Sequence, residues 1–294
     1  MTNNTTEYKG NLFYAIIHTV EVCIPAENAS LADELDKQEY IKSAFYRNAH
    51  VWAIINLNNY PNKSKSHIMC LSMFNKVFNE VLEKHGIRQY IIHRVDVAIN
   101  TKWEYEKCYK LNCYLNNIDA VRAAIKNDYY TNDFKFERRT VKNKRGGYEF
   151  EIYNKEIESN GQNDAKTRLE FRFAGYADLT FENAIERTVE ILNVLPKYID
   201  KTNEMRIAEL SSRYRLEREN GHVISFTEFV TRYSEFIYNT TILNGVYSSF
   251  MEGKSSSWLY KYKLGGHTIE LYTKRELKQY VTVLKNALLM YYNN

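Results

Sequence analysis

Arg94-Val-Asp-Val-Ala-Ile-Asn100 alternates without a break: polar or small residues occupy the even positions and β-branched residues the odd ones. Side chains on a strand point alternately to its two faces, so Arg94, Asp96, Ala98 and Asn100 share one face while Val95, Val97 and Ile99 share the other. Two later segments repeat the arrangement. In Glu149-Phe-Glu-Ile-Tyr-Asn-Lys155, the residues Glu149, Glu151, Tyr153 and Lys155 lie opposite Tyr148, Phe150 and Ile152. In Thr167-Arg-Leu-Glu-Phe-Arg-Phe173, Arg168, Glu170 and Arg172 lie opposite Leu169, Phe171 and Phe173. One face reads as core, the other as a place for chemistry. A half-buried antiparallel strand with a wet outer face produces the same alternation. These three differ in that every polar face mixes acid with base, and as neighbours they would bring Asp96 and Glu170 within reach of one cation.

Around these segments the first part of the chain reads as strands alternating with helices. A β run covers Leu12 to Ile24, and a helix starts after Pro25 at Ser30, whose hydroxyl suits an N-cap. A second β run, His50 to Leu57, ends in the turn signal Asn58-Asn-Tyr-Pro61. Ile68 to His85 carries Leu71, Phe74, Phe78 and Leu82 at helical spacing and closes at Gly86. Strand Tyr90 to Asn100 is followed by a helix whose capping box is Thr101-Lys-Trp-Glu104. The remaining β segments are Asp133 to Val141, Tyr148 to Ile157 and Lys166 to Phe173. Between the first two of these lie Arg138, Arg139, Lys142, Lys144 and Arg145, then Gly146-Gly147. That basic tip is either a solvated hairpin or a contact for phosphates.

After residue 178 the pattern turns helical. Ile185, Val189, Leu192 and Leu195 form a stripe starting at Thr180 and ending near Pro196, a second helix spans Thr202 to Glu219, and a third begins at the capping box Ser225-Phe-Thr-Glu228. The last two are a DNA-reading pair or an ordinary helical hairpin. A β-hairpin over Trp258 to Leu264 and Thr268 to Tyr272 precedes a final helix, which starts at Thr273-Lys-Arg-Glu276 and buries Leu277, Val281, Leu284 and Leu288. The expected fold is therefore α+β, a central antiparallel sheet flanked by helices, with a mainly helical C-terminal part. The expected division is 1–178 and 179–294.

Composition narrows the class. Of 294 residues, 44% are hydrophobic, enough for a sizeable core. Basic residues exceed acidic ones by 40 to 36, so a surface for nucleic acid must come from local clustering and not from bulk charge. The 25 tyrosines serve both as packing and as stacking platforms for unpaired bases. Cys23, Cys70, Cys108 and Cys113 have no zinc-like spacing and are expected as free thiols in a reducing cytoplasm. Neither a signal peptide nor a membrane span is expected. The histidines at 18, 50, 67, 85, 93, 222 and 267 include no closely spaced pair, which argues against a metal held by two neighbouring histidines.

In its order of segments, RxDxA at 94–98, IYNK at 152–155 and RLEFR at 168–172, the chain resembles the replication initiators of rolling-circle plasmids and single-stranded DNA phages. The resemblance covers about residues 90–175. It implies a nicking domain in 1–178, with origin or partner recognition in 179–294. It implies an enzyme that nicks origin DNA, in which a tyrosine attacks a backbone phosphate and leaves a 3′ hydroxyl as primer. Asp96 and Glu170 would then hold Mg²⁺ or Mn²⁺, whose preference is for hard oxygen ligands. Lys155 would act near the phosphate. Arg94, Arg168 and Arg172, with the basic tip, would orient the DNA. Partners implied are partly single-stranded origin DNA, a helicase, a host polymerase and a second copy of the chain. The chain departs from the family at the nucleophile: Phe134-Lys-Phe-Glu-Arg-Arg139 has phenylalanine where tyrosine stands. Tyr130 and Tyr148 are the substitutes taken here, with Tyr129 and Tyr153 nearby. A binder that retains the fold without cutting, a hydrolytic nuclease, and a structural or interaction protein remain alternatives.

Overall fold

The computed structural model describes residues 5–60, 70–105, 108, 124–129, 135–143, 146–161, 164–222, 225–233, 236–237, 240–249 and 273–294, with backbone alone from 124 to 147. Two tight hairpins open it. Strand β1 (Thr6–Tyr8) turns into β2 (Asn11–Pro25) through Lys9 and Gly10, at φ 49° and 76°. Strand β3 (Ile41–Arg47) turns into β4 (His50–Ile55) through Asn48 and Ala49, at φ 52° and 57°. Paired positive φ angles belong to the two-residue turn whose twist matches that of its strands. Ala49 adopts this conformation at a cost of roughly 1–2 kcal/mol. A residue so unsuited to the turn hides the hairpin in the sequence, and β3 is absent from the sequence expectation for that reason.

Strands β5 (Ile91–Thr101), β6 (Ala124–Tyr129), β7 (Lys135–Asn143), β8 (Gly146–Asn154) and β9 (Thr167–Ala174) complete the sheet. Its nine described strands run in the order β3-β4-β2-β5-β9-β8-β7-β6, with β1 beside β2, and all these pairings are antiparallel. The three alternating segments thus lie side by side as β5, β9 and β8. Helices α1 (Ser30–Leu35), α2 (Leu71–Lys84), α3 (Lys155–Glu158), α4 (Phe181–Glu219), α5 (Phe226–Arg232), α6 (Thr240–Ser248) and α7 (Lys274–Asn293) are interspersed, and the class is α+β as expected.

By contacts the chain forms two compact units. The first comprises Met1–Tyr105, Asp119–Asn193 and Thr282–Asn294. It holds the sheet, whose apolar face buries Val95, Val97, Ile99, Leu169, Phe171, Phe173, Phe150 and Ile152, and a knot of aromatics in which Phe181 of α4 meets Phe74 and Phe78 of α2 edge to face at 5.1 and 4.9 Å. The second comprises Glu106–Ile118 and Val194–Val281. Its core gathers Tyr214, Phe226, Phe229 and Tyr247, with ring centroids 5.0 to 5.7 Å apart.

Several local expectations change. Ser30 is the first residue of α1 and not its cap; its N–H donates to Asn28 Oδ1 at 2.9 Å. The helix expected to end near Pro196 instead runs unbroken from Phe181 to Glu219 with Pro196 inside. Proline removes one hydrogen bond and costs about 3 kcal/mol, which burial of Ile185 and Leu192 before it and Leu210 and Tyr214 after it outweighs. Strand β8 stops at Asn154 and not Ile157, because Asn154 Oδ1 accepts from the Ile157 N–H and starts α3. Gly146 and Gly147 lie within β8 and pair with Asn143 and Lys142. At Thr273, by contrast, the expected capping box is complete: Glu276 accepts from the Thr273 N–H and Thr273 Oγ1 from the Glu276 N–H. The expected hairpin at 258–272 lies outside the described residues.

Candidate metal centre

Register across the central strands sets the polar face in rows. Thr19 of β2, Asp96 of β5, Arg172 of β9 and Glu149 of β8 form one row; Ile16, Ala98, Glu170 and Glu151 form the next; Tyr14, Asn100, Arg168 and Tyr153 form a third. Asp96 and Glu170 are therefore diagonal neighbours on adjacent strands. Both are buried, as are Arg168, Glu151 and Lys155.

His18 reaches this face from β2. The pairing of β2 with β5 skips from Ile17 to Thr19, so His18 is the extra residue of a β-bulge. Its imidazole Nδ1 lies 3.2 Å from Glu170 Oε2, across a row position where β5 presents only the methyl of Ala98. The bulge is held from elsewhere: the Ile17 N–H donates to the hydroxyl of Tyr291 in α7 at 3.3 Å. His18, Asp96 and Glu170 each offer a donor atom within 4.8 Å of the others.

Cations surround the three. Arg94 binds Asp96 through two hydrogen bonds, Nε to Oδ1 at 2.7 Å and Nη2 to Oδ2 at 2.5 Å. Arg172 lies among four carboxylates, Asp96 at 3.2 Å, Glu149 at 2.7 Å, Glu151 at 3.4 Å and Glu170 at 3.2 Å. Arg168 donates from Nε to Asn100 Oδ1 at 2.7 Å, but its buried Nη1 has no hydrogen-bond partner among the described residues. Tyr153 donates to Glu170 Oε2 at 3.2 Å. Lys155 is paired with Glu158 and lies 5.8 Å from the Tyr153 ring centre. Lys42 of β3 reaches Thr19 Oγ1 at 3.3 Å.

Burial tunes these groups. It lowers the imidazole of His18 to about 4, aided by the charge of Arg168, so the ring is neutral near pH 7 and one nitrogen keeps its lone pair. Burial raises Asp96 to about 6, with Glu170 adding to the rise and Arg94 and Arg172 opposing it. For Glu170 burial also opposes ionisation, yet His18, Arg168 and Arg172 together hold it well below the usual carboxylate range. Tyr153 is pushed well up by burial and by Glu170, and Lys155 is pushed down by burial and by Arg168.

Of the residues singled out from the sequence, Arg94, Asp96, Arg168, Glu170 and Arg172 meet on one face, and Lys155 lies at its edge. Tyr148 does not: it faces the apolar side, buried, its ring 6.0 Å from that of Phe173. Tyr130, Lys144 and Arg145 lie outside the described residues, and Arg138, Arg139 and Lys142 are described by backbone position only, pairing with Glu151, Phe150 and Gly147. Lys42 and His18 were not anticipated from the sequence. A signal for His18 exists: the apolar residues of β2 that are 3% exposed or less are Phe13, Ala15 and Ile17, at odd positions, and then Val20, Val22 and Ile24, at even ones, and such a change of phase marks a bulge.

Two carboxylates and a neutral imidazole, flanked by a guanidinium with one N–H group left over among the described residues, suit a divalent cation beside an anion. No family model matches the chain, and no curated protein matches it. Among solved structures it is similar to a rolling circle replication initiator protein from Geobacillus stearothermophilus, at 12% identity and a TM-score of 0.33, over 55% of this chain and 74% of that one.

Proposed function

We propose that the chain is a replication initiator that nicks origin DNA with a divalent cation held by His18, Asp96 and Glu170. The observation that carries the reading is the polar face itself: a metal-competent triad and a buried arginine with an unsatisfied N–H, side by side in adjacent strands. A bound Mg²⁺ or Mn²⁺ supplies positive charge to a phosphate oxygen. Arg168 Nη1 donates to a second phosphate oxygen, for which it has no competing partner among the described residues. Arg94 and Arg172, already committed to carboxylates, orient the ligands in this reading and not the DNA. This reading assigns to Lys155, at the edge of the face and paired with Glu158, the charge on the entering or leaving oxygen.

The nucleophile of this proposal is Tyr130, which follows β6; Tyr148 is on the wrong face. Its phenolic oxygen bonds to phosphorus as the bond from phosphorus to the 3′ oxygen breaks, and the phenolic proton ends on that 3′ hydroxyl. One phosphodiester replaces another, so no external energy source is needed. Tyr153, within the site but bonded to Glu170 and hard to deprotonate, serves as a donor.

The test is incubation of the chain with Mn²⁺ and a supercoiled plasmid carrying its own gene and flanking DNA, followed by denaturing electrophoresis and peptide mapping. A tyrosine peptide linked to a 5′ phosphate, lost in Tyr130→Phe, is expected. Nicks with no linked protein would replace the tyrosine by water. Specific binding without cleavage would replace the enzyme by a binding protein.

A further inference from the structure

We infer that Phe45 of β3, Trp52 of β4 and Ile91 of β5 form a platform on which unpaired bases of a single DNA strand stack. The inference rests on the proposed function in taking the ligand to be DNA, and no cleavage step enters it.

Register puts the platform together. Phe45 pairs with Trp52, Trp52 with Cys23 of β2, and Cys23 with Ile91, so one row crosses four strands. Side chains of such a row leave the sheet on one side. Cys23, Glu21 and Thr19 are alternate residues of β2 and share that side, and Thr19 stands in the row of Asp96. The core lies opposite, under Val51, Ala53 and Ile55 of β4 and Val20, Val22 and Ile24 of β2. Phe45 is nevertheless 47% exposed and Ile91 64%, with Trp52 half-buried between them. Scattered exposed apolar residues are ordinary, but three in one row make a patch.

Trp52 is also braced. His93, the extra residue of a bulge in β5, sets its ring at 85° to the indole with centroids 4.9 Å apart, and Glu21 lies 3.5 Å from the imidazole Nδ1. A ring already held in place loses little freedom on binding.

Charge and continuity name the occupant. Arg47, exposed, follows Phe45 on the same side of β3, and Lys42 reaches Thr19 Oγ1 on the other flank of the row. Aromatic rings between cations suit a strand whose bases stack while its phosphates pair with positive charge. Along β2, Cys23 is four residues from Thr19, roughly 13 Å, so one extended strand can lie across the platform and the metal centre together.

The experiment measures binding of the whole chain to a labelled oligodeoxythymidylate and to an abasic oligonucleotide of equal length, by fluorescence anisotropy over a range of salt. Wild type is expected to hold the base-bearing strand about tenfold or more tightly than the abasic one. Trp52→Leu, which stays apolar but offers no ring, should lose most of that preference, and Trp52→Phe should keep much of it. Phe45→Ala, at an exposed position where folding is not at stake, should lose part. Arg47→Ala should weaken both strands alike and lower the salt slope by about 1. Equal affinity for the two strands, or a preference unchanged in Trp52→Leu and Phe45→Ala, would overturn the inference. So would a wild-type dimer that dissociates in Phe45→Ala, read by light scattering, while the base preference persists; the patch would then belong to a second copy of the chain. A base preference carried by these rings in a chain that never becomes linked to DNA would sink the proposed function and leave the platform standing. A tyrosine–DNA product formed by a chain indifferent to bases would do the reverse.

Discussion

The two faces of strands β5, β9 and β8 are built from alternate residues of the same segments and both are largely hidden from water, yet they obey opposite rules. On one, Val95, Val97, Ile99, Leu169, Phe171 and Phe150 fill space; on the other, Asp96, Glu170 and Arg168 are charged and nine-tenths or more buried. Apolar burial stabilises by about 25 cal/mol per Å². Buried ion pairs return little or nothing net, because desolvation offsets their attraction. A fold built for stability alone would place hydrocarbon on both sides. The charged face is therefore the part of the sheet that stability alone does not explain.

Breaking the apolar face should give the largest loss. Phe171, buried with its ring 5.0 Å from that of Phe150, should cost about 3–5 kcal/mol when replaced by alanine, read by urea unfolding. An equal loss of metal affinity at a temperature where the variant remains folded would contradict the division of labour between the faces. Glu170→Gln should reverse that outcome. It should retain a cooperative transition, with stability changed by about 1–3 kcal/mol, while metal binding and metal-dependent cleavage fall by about 100-fold or more.

The pH dependence sharpens the comparison further. Asp96 has a folded value raised to about 6, so its burial penalises the native state above that pH and the penalty is relieved as pH falls towards 4. His18 has a folded value lowered to about 4, so the native state loses stability as pH falls from 6.5 towards 4. Each effect amounts to about 3 kcal/mol, of opposite sign, over nearly the same window. Wild-type stability should be nearly level from pH 6.5 to 4.5, then decline as Glu170, whose value is depressed, is forced to take a proton. His18→Gln should unmask Asp96 and become more stable as pH falls through 6. Urea unfolding at half-unit steps checks both; a wild-type loss of several kcal/mol across the level stretch would show that Asp96 does not offset His18.

The smallest expected effect belongs to the residue that joins the two faces. Tyr291→Phe leaves the Ile17 N–H without its acceptor and should cost about 1–3 kcal/mol. Metal affinity should drop several-fold. Unchanged affinity would mean that the bulge holds His18 unaided.

Much of this was legible before the structure. Strict alternation in β5, β8 and β9 gave the sheet, its faces and the meeting of Asp96 with Glu170, because a period of two leaves a side chain only two directions. The capping box at Thr273 and the stripe from Leu277 to Leu288 gave α7. What escaped were irregularities. Ala49 in a left-handed turn, Pro196 inside a helix and the bulge at His18 are each a local preference overruled by tertiary packing, and windowed patterns average over such points. His18 has no neighbouring histidine or carboxylate in the sequence to mark it, because its partners lie in β5 and β9. The committed state of Arg94 and Arg172 was invisible too, since sequence gives a side chain's charge but not who already neutralises it.

The Tyr291 contact has a kinetic corollary. An N–H at residue 17 finds its acceptor 274 residues later. Contacts so distant form late, because the intervening chain must first be collapsed. On a growing polypeptide β2 emerges early and its bulge goes without this partner until α7 is synthesised. His18 is thus held in its bulge by this contact only after α7 has been made, later than the strands on which its neighbours Asp96 and Glu170 lie.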